Sequence, residues 1–154
     1  MMVHASGKFA YVINLVSNTI AVFSIDPTNG MLTPQGVSDC GNFPAAIAED
    51  PSGKFIYVAN IGTADVCSFA VNSATGGLSP IGSRVVTGDT PAATNVDPSG
   101  KFLFVANSGS DNISVFAIDP SSGTLTPTGT PTPTGREPAS VVTTGKVITP
   151  PAQN

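Results

Sequence analysis

The chain is poor in charge, in aromatic rings and in cysteine, and each shortage removes a class of protein. Charged residues make up only 10% of the 154, against roughly 25% in typical soluble domains, so the surface has to be covered by Ser, Thr, Asn and Gly. Six Lys and Arg against ten Asp and Glu leave a net charge of -4, and no basic run exists that could neutralise a phosphate backbone, which argues against a nucleic-acid partner. Cys40 and Cys67 are the only thiols, and neither has a second cysteine within four positions, so the spacings of zinc sites and of redox CxxC motifs are missing. No apolar stretch approaches the roughly 18 residues of a membrane span. Residues 1–9 lack the charged-then-apolar form of a signal peptide, and a cytoplasmic location is the resulting expectation.

What the chain has instead is turns and repetition. Its 14 Pro and 16 Gly, set among Val, Ile, Thr and Ser, favour short strands joined by tight turns. Three lines are nearly the same: His4-Ala-Ser-Gly-Lys-Phe-Ala-Tyr-Val-Ile-Asn14, Asp50-Pro-Ser-Gly-Lys-Phe-Ile-Tyr-Val-Ala-Asn60 and Asp97-Pro-Ser-Gly-Lys-Phe-Leu-Phe-Val-Ala-Asn107, at spacings of 46 and 47 residues. Self-similarity at this period means one stacked supersecondary unit that cannot bury its apolar face alone.

Each unit reads as four antiparallel strands, A to D. In the second, Pro44-Ala-Ala-Ile-Ala-Glu49 is a short strand A, and Asp50-Pro51-Ser52-Gly53 has the side-chain preferences of a type I turn. Lys54-Phe-Ile-Tyr-Val-Ala59 is strand B, so continuously apolar that both of its faces should be buried. Strand C follows at Asp65 to Val71, with counterparts Thr19 to Ile25 and Asn112 to Ile118. Gly30, Gly76 and Gly123 then turn the chain into a proline-dotted strand D, an edge, because proline cannot donate to a ladder. The fold class is therefore all-β: β-propeller blades of four strands. Blades fall at about 4–43, 44–90 and 91–137, with a lone strand A at 138–142, so that residues 1–149 make a partial propeller, cut between strands A and B, and 150–154 a tail.

The blade lines, followed by (Val/Ile)-x-x-Phe-x-(Val/Ile) and Gly-x-Leu, resemble the signature of seven-bladed lactonases of the 6-phosphogluconolactonase type, and are similar to the Tyr-Val-Thr-Asn propeller repeats of bacterial surface proteins. The resemblance covers about residues 4 to 142 and implies lactone hydrolysis of a small sugar lactone. It also implies His or Arg one or two places after the strand-A proline, facing the channel. At those places this chain has Ala45 and Ala46, Ala92 and Ala93, and Ala139 and Ser140.

Three blades are too few for a ring of four to eight. If each terminal face carries several hundred Å² of apolar area, leaving it wet costs on the order of 10 kcal/mol. Further blades of a longer polypeptide, or a second copy making a six-bladed ring, are the partners expected to cover them.

Chemistry should sit on the loops leading into each strand A: Gly41-Asn-Phe-Pro44, Gly88-Asp-Thr-Pro91 and Gly135-Arg-Glu-Pro138. Hydrolysis needs a base or nucleophile and a cation or donors for the oxyanion. Arg136 and Glu137 are the catalytic candidates, with Asp89, Arg84 and Glu49 as binding candidates; Arg can hold phosphate or carboxylate bidentately, although adjacent Arg and Glu also form ordinary solvated pairs. No metal-ligand cluster, phosphate loop or dinucleotide fingerprint is present, so no cofactor is expected. His4 stands where the other repeats have the turn Asp, and is expected to be an exposed bystander near a frayed terminus. Cys67 aligns with Ala21 and Ser114, so a small side chain suffices there; a free thiol is expected, with a disulfide the alternative. Because the best-supported features are structural, the expected role is a binding or assembly scaffold, with a lactone hydrolase completed by other blades as the alternative.

Overall fold

The computed structural model describes residues 1–144, so the expected strand-like segment Lys146 to Thr149 and the tail 150–154 lie outside it. Among the described residues all regular structure is strand, and no helix is long and apolar enough to cross a membrane. Three antiparallel sheets follow one another along the chain. The first holds β1 (Met2–Val3), β2 (Phe9–Asn14), β3 (Thr19–Ile25) and β4 (Leu32–Asp39). The second holds β5 (Pro44–Glu49), β6 (Phe55–Asn60), β7 (Asp65–Val71), β8 (Leu78–Pro80) and β9 (Val85–Val86). The third repeats it with β10 (Pro91–Val96), β11 (Phe102–Asn107), β12 (Asn112–Ile118), β13 (Leu125–Pro127) and β14 (Thr132–Pro133).

The repeat line builds each blade through two side chains. In the second blade Asp50 Oδ1 accepts from the backbone N–H of Lys54 (2.9 Å) and Phe55 (2.7 Å), and its Oδ2 from Ser52 N–H (3.0 Å). Asp97 repeats this on Lys101 and Phe102, both at 2.8 Å. One carboxylate thus satisfies donors that the turn would otherwise leave without backbone partners. At the other end of strand B the Asn side chain reaches across to the first residue of strand C: Asn60 Nδ2 donates to Asp65 Oδ1 and Asn107 Nδ2 to Asn112 Oδ1, each at 2.7 Å.

The core lies between sheets rather than inside any of them. Phe9 and Tyr11 of the first blade pack with Ile20 and Val22 against Ile56, Val58 and Phe69 of the second. One blade further on, Phe55, Tyr57, Ala59 and Val66 meet Leu103, Val105, Phe116 and Ile118. Each seam carries a buried hydroxyl bond, from Tyr11 Oη to the Gly76 carbonyl (2.9 Å) and from Tyr57 Oη to the Gly123 carbonyl (3.1 Å). Gly76 and Gly123 have φ of +72° and back onto the rings of Phe9 and Phe55, so a Cβ there would lie 2.6 and 2.4 Å from ring carbons.

Three expectations need adjustment. A two-residue strand A precedes β2, pairing Met2 with Tyr11 and Val3 with Ala10, so the first sheet is four-stranded; it is too short to show an alternating pattern. Strand D is split in the second and third blades, where Pro80 and Pro127 end the first piece. Residues 138–142 form no strand, and among the described residues no strand B pairs with them. The segment instead lies along β10, with Val141 O accepting from Asn95 Nδ2 (3.4 Å) and Thr143 Oγ1 donating to Val96 O (2.8 Å).

His4 is the clearest correction. It is buried, not exposed, because the second blade covers it. Ser6 N–H donates to its Nδ1 (3.0 Å), which leaves Nε2 to donate to the Gly53 carbonyl (2.9 Å), with Glu49 Oε1 also 3.1 Å away. In place of the turn Asp, the first blade has a residue that fastens it to the second.

Candidate functional site

The three lead-in loops share one geometry. Phe43, Thr90 and Glu137 occupy the left-handed region (φ 53°, 53° and 51°), as do Asn18, Ala64 and Asp111 in the loops between strands B and C. Asn18 Oδ1 accepts from Phe43 N–H (2.8 Å) and Asp111 Oδ1 from Glu137 N–H (2.7 Å), so an Asn or Asp holds the loop that follows it. Glu137 owes its position to this bond.

Between the last two loops lies an open cleft of about 390 Å³ lined by Thr90, Ala92, Ser108, Gly109, Glu137 and Ala139. Glu137 is on its lip, exposed. Arg136 is exposed beside it, and no Arg136–Glu137 ion pair forms among the described residues. Asp89 is also exposed; its backbone N–H donates to Ser110 Oγ (2.6 Å) and its carbonyl accepts from Gly109 N–H (3.0 Å), which ties its loop to this cleft. Ala92 and Ala139 present methyl groups where hydrolysis would call for a base or an oxyanion donor.

The other two candidates lie elsewhere. Glu49 ends β5, five residues from Pro44 and so about 17 Å down the strand, at the opposite end of the blade from the lead-in loops. There its Oε2 accepts from Ala5 N–H (2.9 Å), and burial raises its pKa above the ordinary carboxylate value despite His4 beside it. The Glu49 charge in turn adds to burial in pushing the Tyr11 hydroxyl up to about 12. Arg84 precedes β9, on the outside of the sheet and about 14 Å from the inner strand at ordinary strand spacing; it pairs with Asp65 at 3.7 Å. Of the five candidates, only Glu137 lines this cleft; Arg136 and Asp89 stand on the two loops beside it, and Glu49 and Arg84 lie elsewhere.

A second cleft, of about 240 Å³, opens at the first seam and was not anticipated from the sequence. Cys40, Cys67, Asp39, Ile81, Gly82 and Arg84 line it. Both cysteines are free and buried, as expected. Their proximity could not have been read from a separation of 27 positions on two different blades.

Wedges of four strands, stacked face to face with an inner strand A and a split outer strand D, define a segment of a β-propeller. The chain belongs to the family of seven-bladed β-propeller lactonases, whose pattern matches residues 1–143. No curated protein matches in sequence. Among solved structures, the periplasmic gluconolactonase of Pseudomonas aeruginosa is 30% identical, with a TM-score of 0.80 over 87% of this chain and 39% of its own. Two proteins provisionally assigned as 6-phosphogluconolactonases, from Bacteroides fragilis and Bacteroides uniformis, are 28% and 29% identical. Their TM-scores are 0.84 and 0.83, over 90% of this chain and 39% and 40% of theirs. The chain thus spans about two fifths of the length of the structures it resembles.

Proposed function

We propose that this chain is an assembly-forming segment of a lactonase-type propeller, with two bare blade faces that dock further blades and no self-sufficient catalytic centre. The observation that carries this reading is one residue column. Phe9 and Phe55 are 5% and 7% exposed beneath the following blade, whereas Phe102, in the same place on the third blade, is 39% exposed. The glycines say the same. A Cβ on Gly41 or Gly88 would strike Asn60 or Asn107 of the following blade at 2.6 and 2.9 Å, while Gly135 faces nothing within 4 Å. Gly30, at the other end, likewise lacks the phenylalanine that Gly76 and Gly123 back onto. In a seven-bladed ring the bare faces would be covered by the four blades beyond these three.

Sedimentation velocity on the chain across the micromolar range tests this. Association that buries the faces, reduced by Phe102→Asp with strand content unchanged, is the expected result. A cooperative, strictly monomeric species at every concentration overturns the proposal.

A second reading is lactone hydrolysis at the mouth between the last two lead-in loops, favoured by the family and by Glu137 on the lip of that cleft. In it Arg136 would hold the anionic end of a sugar lactone and Glu137 would activate water, with the remaining groups supplied by other blades. Hydrolysis of 6-phosphogluconolactone above the spontaneous rate by the chain alone, abolished by Arg136→Ala, would establish this reading over the first.

A further inference from the structure

The two blade seams are built alike except at one place. Where the second seam has Thr87 and Ser114, the first has Cys40 and Cys67, each 47 positions earlier. In the second seam Thr87 Oγ1 donates to the Gly88 carbonyl (2.9 Å) and Asn107 Nδ2 donates to Ser114 Oγ (2.9 Å), while the buried Asn107 Oδ1 is left without a partner. In the first seam the corresponding amide is engaged at both ends. The Cys40 thiol donates to Asn60 Oδ1 and Asn60 Nδ2 donates to the Cys67 sulfur, both at 3.1 Å. The two sulfurs thus flank one side-chain amide, each 3.1 Å from one end of it.

We propose that Cys40 and Cys67 form a dithiol site across the first seam that exchanges with low-molecular-weight disulfides of the glutathione type, Cys67 attacking and Cys40 resolving. Both cysteines line the 240 Å³ cleft, together with the exposed residues Asp39, Gly82 and Arg84. The charged groups facing them are Arg84, Asp65, which is bonded to Asn60 and 3.7 Å from Arg84, and Asp39 on the rim. Roles follow from the hydrogen bonds. Cys67 accepts from the Asn60 amide while Cys40 spends its proton on the Asn60 carbonyl oxygen, so the Cys67 thiolate is the stabilised one; the Cys40 side chain beside it, helped by Asn60 and Arg84, brings its thiol down to about 7 from 9. Cys40 is the donor to that amide, and the neighbouring Cys67 together with burial pushes its own thiol up.

The exchange balances without any further reagent. The Cys67 thiolate attacks one sulfur of the external disulfide, its S–S bond breaks, and one thiol leaves carrying the Cys67 proton. Cys40 then attacks the Cys67 sulfur of the mixed disulfide, releasing the second thiol with the Cys40 proton. The protein ends with one intramolecular disulfide, two electrons poorer, and the external disulfide has become two thiols. Blade one is then covalently joined to blade two beside the Asn60 amide.

Mass spectrometry of the whole chain incubated with excess oxidised glutathione tests the site. The chain should lose two hydrogens in mass, retain no glutathione, and yield a linked peptide pair containing Cys40 and Cys67. Cys40→Ser should keep one glutathione on Cys67, and Cys67→Ser should react at least about tenfold more slowly. Cys67→Ser installs the residue that the second seam already uses, and Cys40→Thr does the same for the other thiol, so each can be checked for native strand content by circular dichroism. The proposal is overturned if the wild-type chain stays fully reduced while a simple cysteine peptide exchanges. It also falls if the chain stops at a glutathione adduct, or if Cys40 alone reacts as fast as Cys67 alone.

Discussion

The same strand is buried three different ways in this molecule. All six residues of β6 are buried, whereas β2 is buried only over its first three, and β11 exposes Phe102 while burying Leu103, Val105, Ala106 and Asn107. Local sequence hardly differs among the three, so the difference comes from neighbours: the middle strand has a blade on each side and the outer two have one. Blade stability here belongs to the seam more than to the sheet, as in other stacked repeats.

The sharpest test of this comparison uses glycines with one backbone conformation and two surroundings. Gly123 and Gly30 have φ of +72° and +73°, but only Gly123 backs onto a ring. Gly123→Ala should cost about 3 kcal/mol, adding overpacking to the left-handed backbone penalty, and Gly30→Ala only about 1 kcal/mol, measured by denaturant unfolding. Equal losses would mean that the seam is not the source of stability.

A smaller effect separates the strand-B asparagines. Asn60 is fully buried and bonds Asp65, Cys40 and Cys67, while Asn14 makes a single 3.2 Å bond to Thr19 on the uncovered side of the first blade. Asn60→Ala should lower unfolding free energy by about 2 kcal/mol and Asn14→Ala by about 0.5 kcal/mol.

The third effect is a gain. Ala64 sits in the left-handed region at φ 48° with no side-chain acceptor to offer Thr90, although its counterparts Asn18 and Asp111 each hold the following lead-in loop. Ala64→Asn should stabilise the chain by about 0.5 kcal/mol, seen as a raised melting midpoint. A loss there would show that the loop contact does not transfer between blades.

Period, strand order and turn chemistry were legible because they are local: Asp50 bonds residues no more than five positions away, and Asn60 its own hairpin. What crosses a seam was not. The partners of His4 lie 45 and 49 residues on, so a substitution that looked like the loss of a turn residue is instead a fastening. The grouping of candidate site residues was half legible for the same reason. Arg136, Glu137 and Asp89 belong to equivalent loops that flank one cleft, which only Glu137 lines, but position along and across a sheet sent Glu49 to the far end and Arg84 to the rim. The cysteine pair gave no signal at all, since nothing in a 27-residue separation says that two blades bring those columns together.

The tyrosine hydroxyl on the glycine carbonyl gives the seams a grammar. Tyr11 and Tyr57 each supply a donor to the blade that follows, but the third line has Phe104 in that column and supplies none. Tandem copies of the middle blade would therefore join like identical links, each hydroxyl finding a carbonyl. Copies of the third would meet ring to backbone and strand every carbonyl without a donor. The blades are not interchangeable beads: their order is written into which of them can speak to a successor.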